Sequence, residues 1–200
     1  GAVLYEDDHC LVIDKPAGRP TQGRGSVEEL WQRKRPGLRA VHRLDRDTSG
    51  CLLFAKTDRM RDHLIGAFRA GRVLKIYRAV CNGRFPTDIE IIDTPMDGQR
   101  AVTRLQRLKA GHSASLLRIR LETGRTHQIR KHLASVRHPL VGDKQYGQKD
   151  VASERKRGIG RHLLHASVLA FPGLDGKEIR CRADDPPDFA RARRDLLGDS

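Results

Sequence analysis

The 200-residue chain has no stretch of about 18 consecutive apolar residues, so no membrane-spanning helix is predicted. No secretory leader pattern opens it either, and a cytoplasmic location is the expectation. Its four cysteines, Cys10, Cys51, Cys81 and Cys181, are scattered and form no C-x-x-C pair. They read as small buried hydrophobes in a reducing compartment, not as a disulfide framework. Nine histidines include no H-E-x-x-H. The pairs His127 with His132 and His162 with His165 lack a cysteine or carboxylate at ligand spacing, so no metal is expected. No G-x-G-x-x-G follows a strand and no G-x-x-x-x-G-K-[ST] loop is present, which argues against dinucleotide binding and against triphosphate hydrolysis. A linker, a repeat and a strict βαβ rhythm are all missing. The chain is therefore read as one domain, residues 1–200, of α+β class: a mixed sheet with helices packed against it.

What is present in excess is positive charge. Thirty-nine Lys and Arg against 25 Asp and Glu leave +14. A surplus of that size suits a polyanion, because each neutralised phosphate releases condensed counterions. The apolar pattern from Val3 onward predicts strand, polar turn, strand, the second ended by Pro16, then a Gly/Pro-rich loop from Pro16 to Gly25. Ser26 and Glu29 form a capping box ahead of a short helix. Cys51 to Ala55 is too short for a helix and reads as a buried strand. Met60, Leu64 and Phe68 fall at helical spacing, and Gly71 ends that helix. Further strands are predicted over 73–80, 117–121, 163–171 and 177–182, with helices over 126–136 and 189–197. Leu117, Ile119 and Leu121 alternate with Arg118 and Arg120, a half-buried strand with a basic outer face. Residues 84–114 give mixed signals. Residues 148–161, with Lys149, Arg155, Lys156, Arg157 and Arg161, read as an exposed basic loop.

Four separate clusters carry candidate chemistry: His42 to Gly50, Lys75 to Ala79, Thr123 to Arg130, and His138 to Gly147. In the first, His-Arg-Leu-Asp-Arg-Asp-Thr-Ser-Gly sets carboxylates among arginines at the mouth of a buried strand. Such neighbours control a carboxylate's charge state, as a nucleophile or general base beside an anionic polymer requires. A surface turn with paired charges is the plainer alternative.

Taken in order, HRLDRDTSG followed by LLFAK, then KIYRAV, LETGRTHQIRKHLA, HPLVGDKQYG and RHLLHA resemble the RluA-type RNA pseudouridine synthases from about Leu11 to Phe171. The resemblance implies isomerisation of selected uridines in structured RNA (rRNA or tRNA) to pseudouridine. It implies the pseudouridine synthase catalytic fold, a mixed and largely antiparallel sheet flanked by helices and loops. It also implies a monomer working without metal or organic cofactor. Carried over residue by residue, Asp45 is the catalytic carboxylate, Tyr77 lies against the target uracil, and Arg130 pairs with the carboxylate. Arg43 enters the space left by the extruded base, and Arg125 and His127 are substrate-binding, with a scaffold role for His127 weighed beside it. Asp47, His42, Asp143 and Tyr146 are read as supporting or scaffold. Three routes stay open for Asp45: attack on ribose carbon 1, addition to uracil carbon 6, or removal of the proton at ribose carbon 2. A catalytically inactive RNA-binding module of the same fold is the alternative, disfavoured because Asp45, Tyr77 and Arg130 are all present. The stretch from Gly83 to Thr123 resembles the family only loosely.

Overall fold

A computed structural model of the chain describes residues 1–147 and 151–198. They form two compact units, one of residues 1–75 and 166–184, the other of residues 76–165 and 185–200.

The first unit begins with β1 (Val3–Glu6) and β2 (Cys10–Lys15), an antiparallel hairpin. The Asp7 carboxylate closes its turn by accepting from the amides of His9 and Cys10 and from the Tyr5 hydroxyl. After α1 (Val27–Gln32) and the two-residue β3 (Arg39–Ala40) comes β4 (Ser49–Ala55). It pairs antiparallel with β2 from Cys10 opposite Ala55 to Lys15 opposite Gly50. Every residue of β4 is buried, which accounts for an unbroken apolar run where a strand with one wet face would alternate. One face, carrying Cys51, Leu53 and Ala55 beside Cys10 and Val12, packs on Met60, Leu64 and Ala67 of α2 (Asp58–Arg69). Thr57 caps α2 by accepting from the Met60 amide, and Gly71 leaves it at φ 70°. β9 (Leu164–Pro172), from Ala166 onward, lies beside β4 and pairs antiparallel with β10 (Glu178–Arg182).

The second unit is an antiparallel sheet in the order β5 (Leu74–Asn82, from Ile76 onward), β8 (Ala114–Leu121), β7 (Thr103–Ala110), β6 (Ile91–Ile92). Against it stand α3 (Gln128–Ser135) and α5 (Pro187–Leu197), and the unit also holds α4 (Val151–Lys156). Phe189 and Ala192 of α5 pack with Val80, Ala114, Leu116, Val141, Ile159 and Leu163.

The expected elements are present with instructive differences. Ser26 accepts from the Glu29 amide as a capping box requires, but Glu29 reaches back to the amide of Gly25, one residue early. β7 was hidden because an apolar residue, Leu108, stands on its exposed side in phase with Arg104 and Gln106, and a bulge between Arg107 and Lys109 shifts the register there. α3 starts at Gln128, not Thr126, because His127 is held in the left-handed region at φ 54°. The supposed loop 148–161 contains α4, whose Glu154 carboxylate accepts from the Gly142 amide. Arg155, Lys156 and Arg157 are exposed, whereas Arg161 is buried against Asp188, with Nε donating to Oδ2 at 2.7 Å. Residues 148–150, including Lys149, lie outside the described residues. All four cysteines are buried free thiols, and burial pushes Cys10, Cys51 and Cys81 up to about 12 and Cys181 up to about 11. Thiols so placed are inert packing groups.

Two stability predictions follow from the first unit. Gly50 sits at φ +117°, and a Cβ there would stand 2.1 Å from the backbone oxygen of Ala166. Gly50→Ala should force β9 away from β4 at a cost of about 3 kcal/mol or more, a fall in Tm of roughly 6–12 °C at this chain length. An unchanged melting curve would show that the two strands do not approach so closely. The half-buried His42 stacks on Phe68 at 5.2 Å, and its Nε2 accepts from the Leu53 amide at 2.9 Å. Burial, then the nearby Lys75 ammonium, pushes its imidazole down to about 3 from 6.5. The unfolded chain therefore takes up a proton that the folded chain refuses, so this contribution is complete above pH 6.5 and shrinks as pH falls toward 3. The slope is at most about 1.4 kcal/mol per pH unit. His42→Gln, which keeps an acceptor for Leu53, should flatten the denaturation-derived stability between pH 6.5 and 4.5. Parallel wild-type and variant curves would contradict the assignment.

Candidate active site

Asp45 lies in the loop leading into β4, its side chain half-buried. The loop is gripped on both sides of it. Thr21 Oγ1 accepts from the Leu44 amide at 3.0 Å and donates to the Leu44 carbonyl at 2.8 Å. On the other side, Arg46 gives its carbonyl to the Lys15 ammonium at 2.9 Å and to the Gly18 amide at 2.9 Å. The Arg46 side chain returns the contact, Nε donating to the Gly18 carbonyl at 3.1 Å. A turn closed by the Thr48 amide on the Asp45 carbonyl completes the frame. Lys15 is wholly buried, and its ammonium also donates to the Pro16 carbonyl. Arg43 and Arg46 are exposed, while Asp47 is half-buried. The backbone around Asp45 is thus fixed by Lys15 at the end of β2 and by Thr21 and Gly18 of the Gly/Pro-rich loop, residues that sequence reasoning passed over. A lysine that ends a buried strand was the one available signal; Thr21 gave none.

In the second unit, Tyr77 lies in β5 opposite Ile119 and is 8% exposed. Arg130, on the first turns of α3, is held by Asp143 through two parallel contacts, Nε to Oδ2 and Nη2 to Oδ1, both 2.9 Å. The side chains are 8% and 0% exposed, so this is a desolvated, bidentate pair. Asp143 Oδ1 accepts in addition from the amides of Gln145 and Tyr146. Burial pushes the Asp143 carboxyl up, but Arg130 and those amides outweigh it and leave it below the usual carboxylate range. The Tyr146 ring lies 5.0 Å from the Arg130 guanidinium carbon, and its hydroxyl meets His127 Nδ1 at 2.8 Å. Asp143, Tyr146 and His127 therefore build one scaffold around Arg130.

The helix carrying Arg130 is anchored by a buried polar chain. The Gln128 amide donates to the Val102 carbonyl and to Thr103 Oγ1, and its Oε1 accepts from Thr123 Oγ1 and the Arg125 amide. With the Gln128 amide donating to it, Thr103 Oγ1 gives its proton to His132 Nδ1, and His132 Nε2 donates to the Thr94 carbonyl. Arg125, half-buried, is tied back by Nε to the Arg100 carbonyl at 2.8 Å. No group of three histidine, cysteine or acidic residues able to hold a metal occurs among the described residues, and no helix among them is long and apolar enough to cross a membrane.

In the first unit a framed loop thus presents a carboxylate; in the second, the start of α3 presents a guanidinium and β5 a nearly buried tyrosine. The RNA pseudouridylate synthase family matches residues 9–135. The ribosomal large subunit pseudouridine synthase D of Xanthomonas campestris pv. campestris is 37% identical, over 99% of this chain and 70% of its own length. An uncharacterised RNA pseudouridine synthase of Zymomonas mobilis is 38% identical over 94% of both chains. Among solved structures, human RNA pseudouridylate synthase domain containing 4 superposes with a TM-score of 0.80 at 27% identity, covering 98% of this chain and 92% of that one. The expected architecture, a mixed and largely antiparallel sheet with helices, is the one found. With more than half its length matched and relatives above 30% identity across nearly all of it, this chain belongs to the RNA pseudouridylate synthase family and is an RNA pseudouridine synthase, an isomerase.

Proposed function

We propose that this enzyme converts uridine to pseudouridine in ribosomal large-subunit RNA, acting as a single catalytic domain with Asp45 as its catalytic carboxylate. The rRNA assignment rests on relatives that carry that substrate in their names, the synthase D of Xanthomonas campestris and, at 35% identity, a ribosomal large subunit pseudouridine synthase C of Vibrio parahaemolyticus that this chain covers for 60% of its length. What supports a chemical role for Asp45 is the double-sided grip on its backbone by Thr21, Lys15 and Gly18. A carboxylate that must meet one atom of a ribosyl or uracil ring needs its position fixed in advance.

Tyr77 supplies a flat face for uracil and a hydroxyl suited to removing the proton from carbon 5. Arg130, with its guanidinium already oriented by Asp143, favours anionic partners at the reacting nucleotide. Arg125 and His127 flank it at the start of α3 and contact the substrate backbone. A uridine inside a helix or tight loop hides its glycosidic bond, so the base must leave the stack at a cost of a few kcal/mol. Arg43, exposed two residues before Asp45, is the planar cation that takes its place.

The carboxylate's role is tested with RNA tritiated at carbon 5 of uridine. Asp45→Asn should abolish tritium release while RNA affinity stays within about tenfold, or about 1.4 kcal/mol. Turnover retained by that variant would remove Asp45 from the mechanism. Arg43→Ala should slow turnover of uridines in folded RNA about tenfold or more and spare a uridine that is already unstacked. An equal loss on both substrates would defeat the wedge role.

A further inference from the structure

One face of the sheet in the second unit carries a field of arginines that the reaction at Tyr77 does not use. Successive side chains of a strand point to opposite faces, so residues 76 and 78 of β5 share a face that Tyr77 does not. The register places Arg78 opposite Arg118, and Arg120 opposite both Ile76 and, on β7, Arg104. Gln106 faces Arg118 from β7, and Ile91, 46% exposed, faces Arg104 from β6. Arg104, Gln106, Arg118 and Arg120 are all exposed and Arg78 is half-buried.

Like charges directly across a sheet repel, and the chain neutralises only the margins of this field. At one side Asp185 takes Arg78 in a bidentate contact and Arg193 at 3.5 Å. At the other, Glu122 takes Arg104 and Arg100. The two central arginines, Arg118 and Arg120, have no acidic partner among the described residues. They stand two residues apart on one strand, about 6.7 Å, with the cations of the adjoining strands about 4.8 Å to either side.

We propose that this arginine face binds the phosphate backbone of the RNA substrate at a segment away from the modified uridine, as a second electrostatic foothold. The proposal rests on the reading that the substrate is a large folded RNA. Guanidinium forks match phosphate oxygens bidentately and need no apolar centre. A protein partner would require a desolvated apolar core, and here the exposed apolar side chains, Ile91 and Leu108, lie away from the centre that Arg118 and Arg120 occupy. Because the side chains at 76 and 78 face away from that of Tyr77, a strand held here is not the nucleotide stacked on the tyrosine. Contacts of this kind set affinity and orientation without reading sequence.

The test compares wild type with Arg118→Gln/Arg120→Gln and with the charge-preserving Arg118→Lys/Arg120→Lys on two RNAs, a complete large-subunit rRNA and a short stem-loop carrying a reactive uridine. The glutamine variant should bind the large RNA about tenfold or more weakly, with a log affinity against log salt slope shallower by about 1.4 to 1.8, the contribution of two phosphate contacts. Tritium release from saturating stem-loop should be unchanged, and the lysine variant should keep most of the slope. Equal affinity and slope for wild type and the glutamine variant would overturn the foothold, as would a loss confined to polyglutamate binding, which would assign the face to an acidic protein. Wild type that releases no tritium from either RNA would instead defeat the proposed substrate, a separate failure.

Discussion

A lysine ammonium with no exposure to water is the constraint on which the first unit turns. Taking a cation out of water costs several kcal/mol unless the interior supplies oxygen acceptors in good geometry. For Lys15 two of those acceptors are the carbonyls of Pro16 and Arg46. The second lies in the loop that carries Asp45. The loop cannot drift outward without stranding the buried charge, so the cost of burial becomes stiffness at the residue next to the carboxylate. Thr21 does the same for Leu44 on the other side, using one hydroxyl as both donor and acceptor. The carboxylate itself is half-buried, on a backbone held from both sides.

The second unit solves a parallel problem with opposite charges. Arg130 is buried, and Asp143 meets one edge of its guanidinium through two nitrogens and is itself satisfied by two further amides. Well-ordered pairs of this kind contribute little net stability, since desolvation offsets most of the attraction. Their effect is geometric: a bidentate fork fixes the plane of the guanidinium as well as its place. The left-handed His127 and the Gln128–Thr103–His132 chain then fix the helix start from which Arg130 projects. Left-handed backbone in a residue other than glycine carries a strain of about 1–3 kcal/mol. Its occurrence between the candidate residues Arg125 and Arg130 fits a segment shaped for a site.

Much of the fold was legible where one local rule governed a segment. The apolar run of β4, the 60/64/68 spacing of α2 and the alternation of β8 each announced their element. Legibility failed where two rules collided. In β7 alternation buries Thr103 and Leu105 and exposes Arg104, Gln106 and the apolar Leu108, and the bulge between Arg107 and Lys109 then shifts the register, so apolar character and burial part company. Arg161 looked like one more cation in a basic loop, but Asp188 draws it inside from 27 residues away. Within the site, Asp45, Tyr77 and Arg130 came from resemblance to a family. What holds Asp45 is invisible locally, since Thr21 and Leu44 are 23 residues apart and Lys15 and Arg46 are 31 apart. Side chains that serve another segment's backbone leave no periodic trace in their own.

The net charge of +14 shows the same gap between composition and placement. A surplus of cations predicts a polyanionic partner without saying where it binds, because many of these cations are already engaged inside the protein. Lys15 is spent on carbonyls, Arg130 on Asp143 and Arg161 on Asp188; Arg35 and Lys56 share Glu6 and hold its carboxyl down to about 2. Each such pair subtracts from what phosphate can meet. The cations that remain are the electrostatic footprint, and strand register decides whether they stand alone or in rows. On β8 it sets Arg118 and Arg120 on one side and Leu117, Ile119 and Leu121 on the other. From Leu117 to Leu121 the same alternation that fills the core therefore gathers unneutralised charge on the opposite face, so that one stretch of strand serves packing with its odd-numbered residues and presents cations with its even-numbered ones.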